Sequence, residues 1–227
     1  MDTGGDMQSS PHEGEKNLGL ERLIFFSDGV FAIAITLLVL NIHIPTTEDA
    51  AKSGLASALL SQWPVYLAYL SSFVTILVMW MGHHNLFRYI VRIDYTFLIL
   101  NGLFLLGVTL VPVPTAILAR FVQSSPSESA LSAALYSGMF FYLATLFNVI
   151  WIYAASGSRL VEGYELPRAA RLRYAFGPLL YLISMGLAFV SVRLSLAIYL
   201  ILLVYYAWPT NYMRPKATPP ASETVVD

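Results

Sequence analysis

Arg22-Leu-Ile-Phe-Phe26-Ser27-Asp28-Gly-Val-Phe-Ala-Ile33-Ala-Ile-Thr36-Leu37-Leu-Val-Leu40 places an arginine and an aspartate in its first two turns, and only apolar residues and one threonine after them. A bilayer core of about 30 Å needs about 20 apolar residues in helical form, so this stretch reads as a first membrane-spanning helix. Charged side chains near the mouth of such a helix are costly against lipid and mark one that packs on protein or water. The segment is therefore expected to do more than anchor the chain.

The remaining sequence supports a membrane protein. Of its 227 residues, 57% are hydrophobic and 12% charged, a balance far from that of a soluble domain. Breaks at charged residues and prolines divide the apolar sequence into six segments, near Leu23–Ile42, Trp63–Phe87, Tyr95–Leu118, Ala130–Ala154, Ala170–Val190 and Leu194–Tyr212. The last two are separated only by Ser191, Val192 and Arg193, and a turn is expected there because a charge belongs at an interface. The expected fold class is all-α, a polytopic membrane protein with six transmembrane helices. Residues 21–213 form the membrane domain, and 1–20 and 214–227 are disordered tails.

Six crossings put both termini on one side. Ten of the thirteen lysines and arginines fall there: Lys16, Arg22, Arg88, Arg92, Arg159, Arg168, Arg171, Arg173, Arg214 and Lys216, against Lys52, Arg120 and Arg193. The positive-inside rule then makes both termini cytoplasmic, in a multi-pass protein of the cell membrane. Residues 1–20 lack the basic start and small-residue cleavage site of a secretory signal. With no cysteine, disulfides, thiolate metal sites and cysteine nucleophiles are excluded, and a net charge of −1 points to no nucleic-acid partner.

Polar residues inside the other segments are the remaining candidates. The second ends in Trp80-Met81-Gly82-His83-His84. Adjacent residues point about 100° apart on a helix, so His83 and His84 cannot share one ion as an i, i+4 pair can. A structural role between helices is favoured, with proton sensing as the alternative. Asn101 reads as an interhelical hydrogen-bonding group, and Pro112 and Pro114 as the kink or end of the third helix. The aromatic-rich fourth to sixth segments read as lipid-facing scaffold. The common catalytic motifs are absent, so neither an enzyme nor a cofactor is expected.

On a helical wheel, Ile33, Thr36, Leu37 and Leu40 share one stripe about 100° wide, with Gly29 on the same side, whereas Asp28 lies about 140° from Ile33. Such an aliphatic stripe is ordinarily core packing. The chain also lacks the Thr-Val-Gly-Tyr-Gly filter loop of the usual potassium channels. Any ion path must therefore run along a spanning helix.

Arg22-x-x-x-Phe26-Ser27-Asp28 resembles the signature of the potassium-channel family named after transmembrane protein 175. Trp80, His83-His84-x-Leu86-Phe87, Asp94, Asn101 and Pro112-x-Pro114-Thr115 resemble that family's next two helices in order and approximate spacing. The likeness covers roughly residues 20–118. It implies a single-repeat prokaryotic member: a homotetramer whose first helix lines a central pore passing potassium ions, with no resident cofactor. By the same resemblance Ile33, Leu37 and Leu40 are the apolar constriction, and Thr36 is a pore-facing residue implicated in selectivity. Arg22, Phe26, Ser27 and Asp28 are expected to form a structural or gating network with Trp80, one of His83 and His84, and Asn101. The competing readings are a proton pathway or coupled transporter using Asp28 and the histidines, and a membrane scaffold without transport.

Overall fold

The computed structural model describes residues 11–156, 160–161 and 168–208. These form nine α-helices: α1 Pro11–Leu37, α2 Thr47–Ser53, α3 Leu55–Leu60, α4 Trp63–Phe87, α5 Tyr95–Leu110, α6 Pro112–Phe121, α7 Pro126–Ala155, α8 Arg168–Leu187 and α9 Val192–Ala207. A 3-10 turn, Leu38–Asn41, extends α1. Among the described residues there is no strand, only an isolated bridge between Ile90 and Val161.

Among the described residues four stretches are long and apolar enough to cross a bilayer: Leu18–Asn41, Trp63–Phe87, Tyr95–Phe121 and Pro126–Ala155. The apolar parts of the last two helices are shorter, Ala175–Leu187 and Val192–Ala207. The turn between them lies at 188–191, and Ser191 caps α9 by accepting the Leu194 N–H at 3.4 Å. The third expected helix is split rather than ended. Pro112 and Pro114 supply no N–H to the preceding turn, so α5 stops at Leu110 and α6 restarts at Pro112 after a single intervening residue, Val111.

Two boundaries differ from the sequence reading. Helix α1 begins at Pro11, so 11–20 is helical rather than tail; proline in the first turn followed by Glu13 and Glu15 suits a helix N-terminus. Residues 1–10 and 214–227, the remainder of the two expected tails, lie outside the described residues. The first connection also holds α2 and α3, where no helix was expected. Thr46 and Asp49 build a capping box for α2, with Thr46 Oγ1 donating to Asp49 Oδ2 at 2.7 Å and Asp49 N–H donating back at 3.2 Å. Gly54, at φ 80°, joins the two helices in a conformation open to glycine.

Helix α7, 30 residues and about 45 Å long, is the spine. It packs on α5, α6, α8 and α9, while α1 packs on α4 and α5. The α5–α7 approach is close: a Cβ on Gly107 would stand 2.5 Å from Tyr142 Cε1, and Tyr142 Oη donates to the Leu103 carbonyl at 2.9 Å. Small residues at such crossings let membrane helices gain dispersion contacts that lipid cannot replace.

The expectation of plain scaffold in the later helices needs correction, because α7, α8 and α9 bury hydroxyls. Thr115 Oγ1 donates to the Val111 carbonyl at 2.8 Å, so it accepts from Ser72 Oγ at 2.9 Å. Ser72 Oγ, its hydrogen spent, accepts from Tyr136 Oη at 3.0 Å. By the same reasoning Tyr199 Oη donates to Thr75 Oγ1, whose hydrogen goes to the Ser71 carbonyl. Nearby, Ser184 and Ser195 exchange hydroxyl-to-carbonyl bonds of 3.0 and 2.8 Å, and Ser137 reaches Ser184 at 3.1 Å. A hydroxyl costs several kcal/mol in hydrocarbon unless paired, which is why these side chains meet one another.

Candidate functional site

Helix α1 has two different faces. Ser27, Phe31, Ala34 and Leu38 are buried against the bundle. On the other side Ile33 is 59% exposed, Leu37 43% and Leu40 71%, and Thr36 is exposed as well. That face continues toward the N-terminus through Gly29, Phe26 and Arg22, all exposed. The positions 22, 26, 29, 33, 36 and 40 advance by 4, 3, 4, 3 and 4 residues, the spacing of a seam along which one helix packs on another. The buried face occupies the positions behind such a seam. Within the stripe, Thr36 Oγ1 donates to the Ile33 carbonyl at 2.8 Å, which leaves its lone pairs outward.

The buried side of α1 is tethered near the middle of the helix. Asp28 Oδ1 accepts from Trp80 Nε1 at 2.8 Å, a bond strengthened by the carboxylate's charge. Ser27 Oγ gives its own hydrogen to the Leu23 carbonyl at 2.8 Å, so it can only accept from Asn101 Nδ2, at 3.2 Å. The amide is thereby oriented with Oδ1 toward His83 Nε2, 2.8 Å away, and that nitrogen must carry the hydrogen. Rings enclose this chain. His83 stacks on Phe104 with centroids 5.8 Å apart, and Phe31 and Phe87 lie at 5.3 and 4.5 Å. Three helices, α1, α4 and α5, are joined by these bonds.

Five of the eight expected network residues therefore meet: Ser27, Asp28, Trp80, His83 and Asn101. His84 does not; it is exposed and lies beside the Trp80 ring at 5.6 Å. The 100° step between neighbours decides which histidine turns inward. Arg22 and Phe26 also stand outside these bonds. On the wheel they fall within about 20° of Ile33, so they extend the exposed stripe instead of the buried one. Among the described residues no three His, Asp or Glu side chains gather to hold a metal ion.

Some contacts were not singled out by sequence. Phe31 fills the space between Ser27 and Ala34, a signal present in the 4-3-4 spacing of the buried face. Asn41 Nδ2 donates to the Pro112 carbonyl at 3.3 Å, tying the far end of α1 to the α5–α6 break. Asp94 caps α5 by accepting the Phe97 N–H at 2.8 Å and also accepts from Tyr153 Oη at 2.6 Å.

These features define a class: a multi-spanning helical membrane protein with one spanning helix tethered by polar bonds on one face and presenting a heptad-spaced stripe on the other. A family model described as "Endosomal/lysosomal potassium channel TMEM175" matches residues 22–112. A potassium channel of Chamaesiphon minutus is 43% identical over 209 residues, covering 90% of this chain and 100% of the relative. The crystal structure of a lysosomal potassium-selective channel TMEM175 homolog from that organism superposes with a TM-score of 0.75 at 44% identity, over 83% of this chain and 96% of the other. An endosomal/lysosomal proton channel TMEM175 of Gallus gallus is 36% identical over 141 residues, 59% of this chain and 28% of that protein. The chain belongs to the TMEM175 family.

Proposed function

We propose that this chain is one subunit of a passive potassium channel, not an enzyme, in which four copies surround a pore lined by α1. The observation that carries the reading is the exposed 4-3-4-3-4 stripe on a spanning helix whose opposite face is buried and tethered. A single helix cannot enclose a pore, and closed rotational symmetry supplies the missing walls. The membrane crossings are α1, α4, the α5–α6 pair, α7, α8 and α9, which put both termini on the cytoplasmic side of the cell membrane.

The mechanism follows from the side chains on the stripe. Four Ile33 side chains around an axis exclude water, and an ion entering loses hydration that aliphatic groups cannot replace, so the ring is a gate by dewetting. Leu37 and Leu40 lengthen the apolar section. Thr36 offers hydroxyl lone pairs to a partly hydrated cation, because its hydrogen is held by the Ile33 carbonyl. The tether at Ser27 and Asp28 sets the azimuth of α1, and with it the direction in which Ile33 points.

The test is reconstitution of the purified chain in liposomes and planar bilayers. Expected are currents whose reversal follows the potassium gradient, subunits that run as a tetramer, and a higher conductance in Ile33→Asn. Conductance and selectivity untouched by that substitution would sink the constriction, and a stable monomer would sink the pore. The name carried by the Gallus gallus relative adds a proton arm: a pH gradient imposed without a potassium gradient should drive a much smaller current.

A further inference from the structure

The pore helix is held at two points along its length by bonds of unequal strength. Near its middle α1 is tied by the charge-assisted Asp28–Trp80 bond at 2.8 Å and by Ser27–Asn101 at 3.2 Å, the latter backed by His83. Between these and Asn41 the bundle face consists of Phe31, Ala34 and Leu38, all apolar. At the far end a neutral bond, Asn41 Nδ2 to the Pro112 carbonyl at 3.3 Å, is the one side-chain hydrogen bond from the helix beyond Asp28 to another helix among the described residues. The turn that carries it, Leu38–Asn41, is 3-10 rather than α, with poorer hydrogen-bond geometry.

We propose that Asn41 is a positioning residue of the channel: its bond to Pro112 holds the outer half of α1 in the narrow arrangement, and opening breaks it. The inference rests on the reading of α1 as the pore helix. Ile33 lies about 7.5 Å along the axis from Asp28. Asn41 lies about 21 Å from it, counting the last four residues at the 3-10 rise. If α1 tilts about its tether, a movement of about 2 Å at Ile33 displaces Asn41 by roughly 6 Å, far beyond hydrogen-bond range. Rotation of α1 about its own axis separates the two groups as well.

Pivoting the other way, about Asn41, would break the charge-assisted bond and the Ser27–Asn101–His83 chain together. Bonds to ionised groups are about twice as strong as neutral ones, so the outer end yields first. Pro112 suits the role because it sits where the α5–α6 rod is interrupted, and its carbonyl faces α1 instead of serving only its own helix.

Single-channel recording of wild type, Asn41→Leu, Asn41→Asp and Asn41→Gln tests the latch. Leucine matches the shape without a donor, ionised aspartate replaces the donor by acceptors facing a carbonyl, and glutamine keeps the amide. One neutral bond is worth about fivefold in the closed-to-open ratio per subunit, and up to several hundredfold if four subunits move together. Expected for Asn41→Leu and Asn41→Asp is a rise in open probability of at least fivefold, with unitary conductance and reversal potential as in wild type and with Asn41→Gln restoring most of the closed state.

A merely structural role would lower yield without moving open probability. Unchanged open probability in an assembled Asn41→Leu tetramer overturns the proposal. So does an altered unitary conductance or reversal potential, which would put Asn41 on the ion path itself. Should the leucine variant fail to assemble, equal open probability in the aspartate and glutamine variants overturns it. A wild-type chain that carries no potassium current removes the pore reading as well, whereas a conducting wild type with indifferent variants removes only the latch.

Discussion

Asn101→Leu asks how much the chain Ser27–Asn101–His83 contributes to holding α1 on the bundle. Leucine nearly conserves volume, so the change is in hydrogen bonding alone. Two interhelical bonds are lost, 3.2 Å to Ser27 and 2.8 Å to His83; such bonds in membrane proteins average about 0.6 kcal/mol each. Ser27 keeps its bond to the Leu23 carbonyl. The His83 Nε2 hydrogen, on a side chain only 2% exposed, keeps no partner, and an unpaired buried donor costs about 1–3 kcal/mol. The sum is about 2–4 kcal/mol, and at about 2–4 °C per kcal/mol for a chain of this size the melting temperature should fall by roughly 5–15 °C. Thermal unfolding in detergent, followed by tryptophan fluorescence, reads the shift directly. His83→Leu combined with Asn101→Leu removes the stranded donor, so the double variant should recover about 1–3 kcal/mol relative to the sum of the singles. A single variant that melts within a degree of wild type, or strictly additive losses, would refute the assigned orientation of the amide and the energetic weight of the chain.

Two further outcomes follow from contacts elsewhere. Gly107→Ala should destabilise the protein by about 1–3 kcal/mol, because the new methyl meets Tyr142 Cε1 and Leu143 Cδ2 at 2.5 and 2.8 Å; Gly102→Ala, with nothing within 4 Å, is the matched control on the same helix, and denaturation midpoints compare them. Acidification should fray α2: the Thr46 hydroxyl and amide hold the Asp49 carboxyl below its ordinary range. A depressed carboxyl stabilises above its unfolded pKa and loses that contribution as pH falls through the folded value, so the protection of the Ala50 and Ala51 amides, relative to their intrinsic exchange rates, should fall below about pH 4. Protection unaffected by pH there would show that the capping box does not hold the turn.

The exposed stripe on α1 was legible because period 3.6 sorts Ile33, Thr36, Leu37 and Leu40 onto one side of a helix without any partner being known. The same wheel carries two more residues onto that side. Phe26 and Arg22 belong to the same stripe by angle, yet the signature drew them into one group with Ser27 and Asp28. The choice of His83 over His84 depends on where α5 stands, which is tertiary information. The hydroxyl cluster was missed for a related reason. Ser72, Thr75 and Thr115 look like tolerated small polar residues one at a time, and only the convergence of α4, α6, α7 and α9 makes them partners of Tyr136 and Tyr199. The α2 helix, by contrast, was announced by Thr46-x-x-Asp49 and overlooked beside the longer apolar runs.

That hydroxyl cluster has an electrical consequence. Every hydrogen along Tyr136, Ser72 and Thr115 has one direction, and the series stops at the Val111 carbonyl, which cannot pass it on. Tyr199 and Thr75 end in the same way at the Ser71 carbonyl. A proton entering such a series would have to reverse each bond and then leave through a backbone oxygen into the apolar surroundings. These two hydroxyl series, so oriented, therefore offer a proton no forward route.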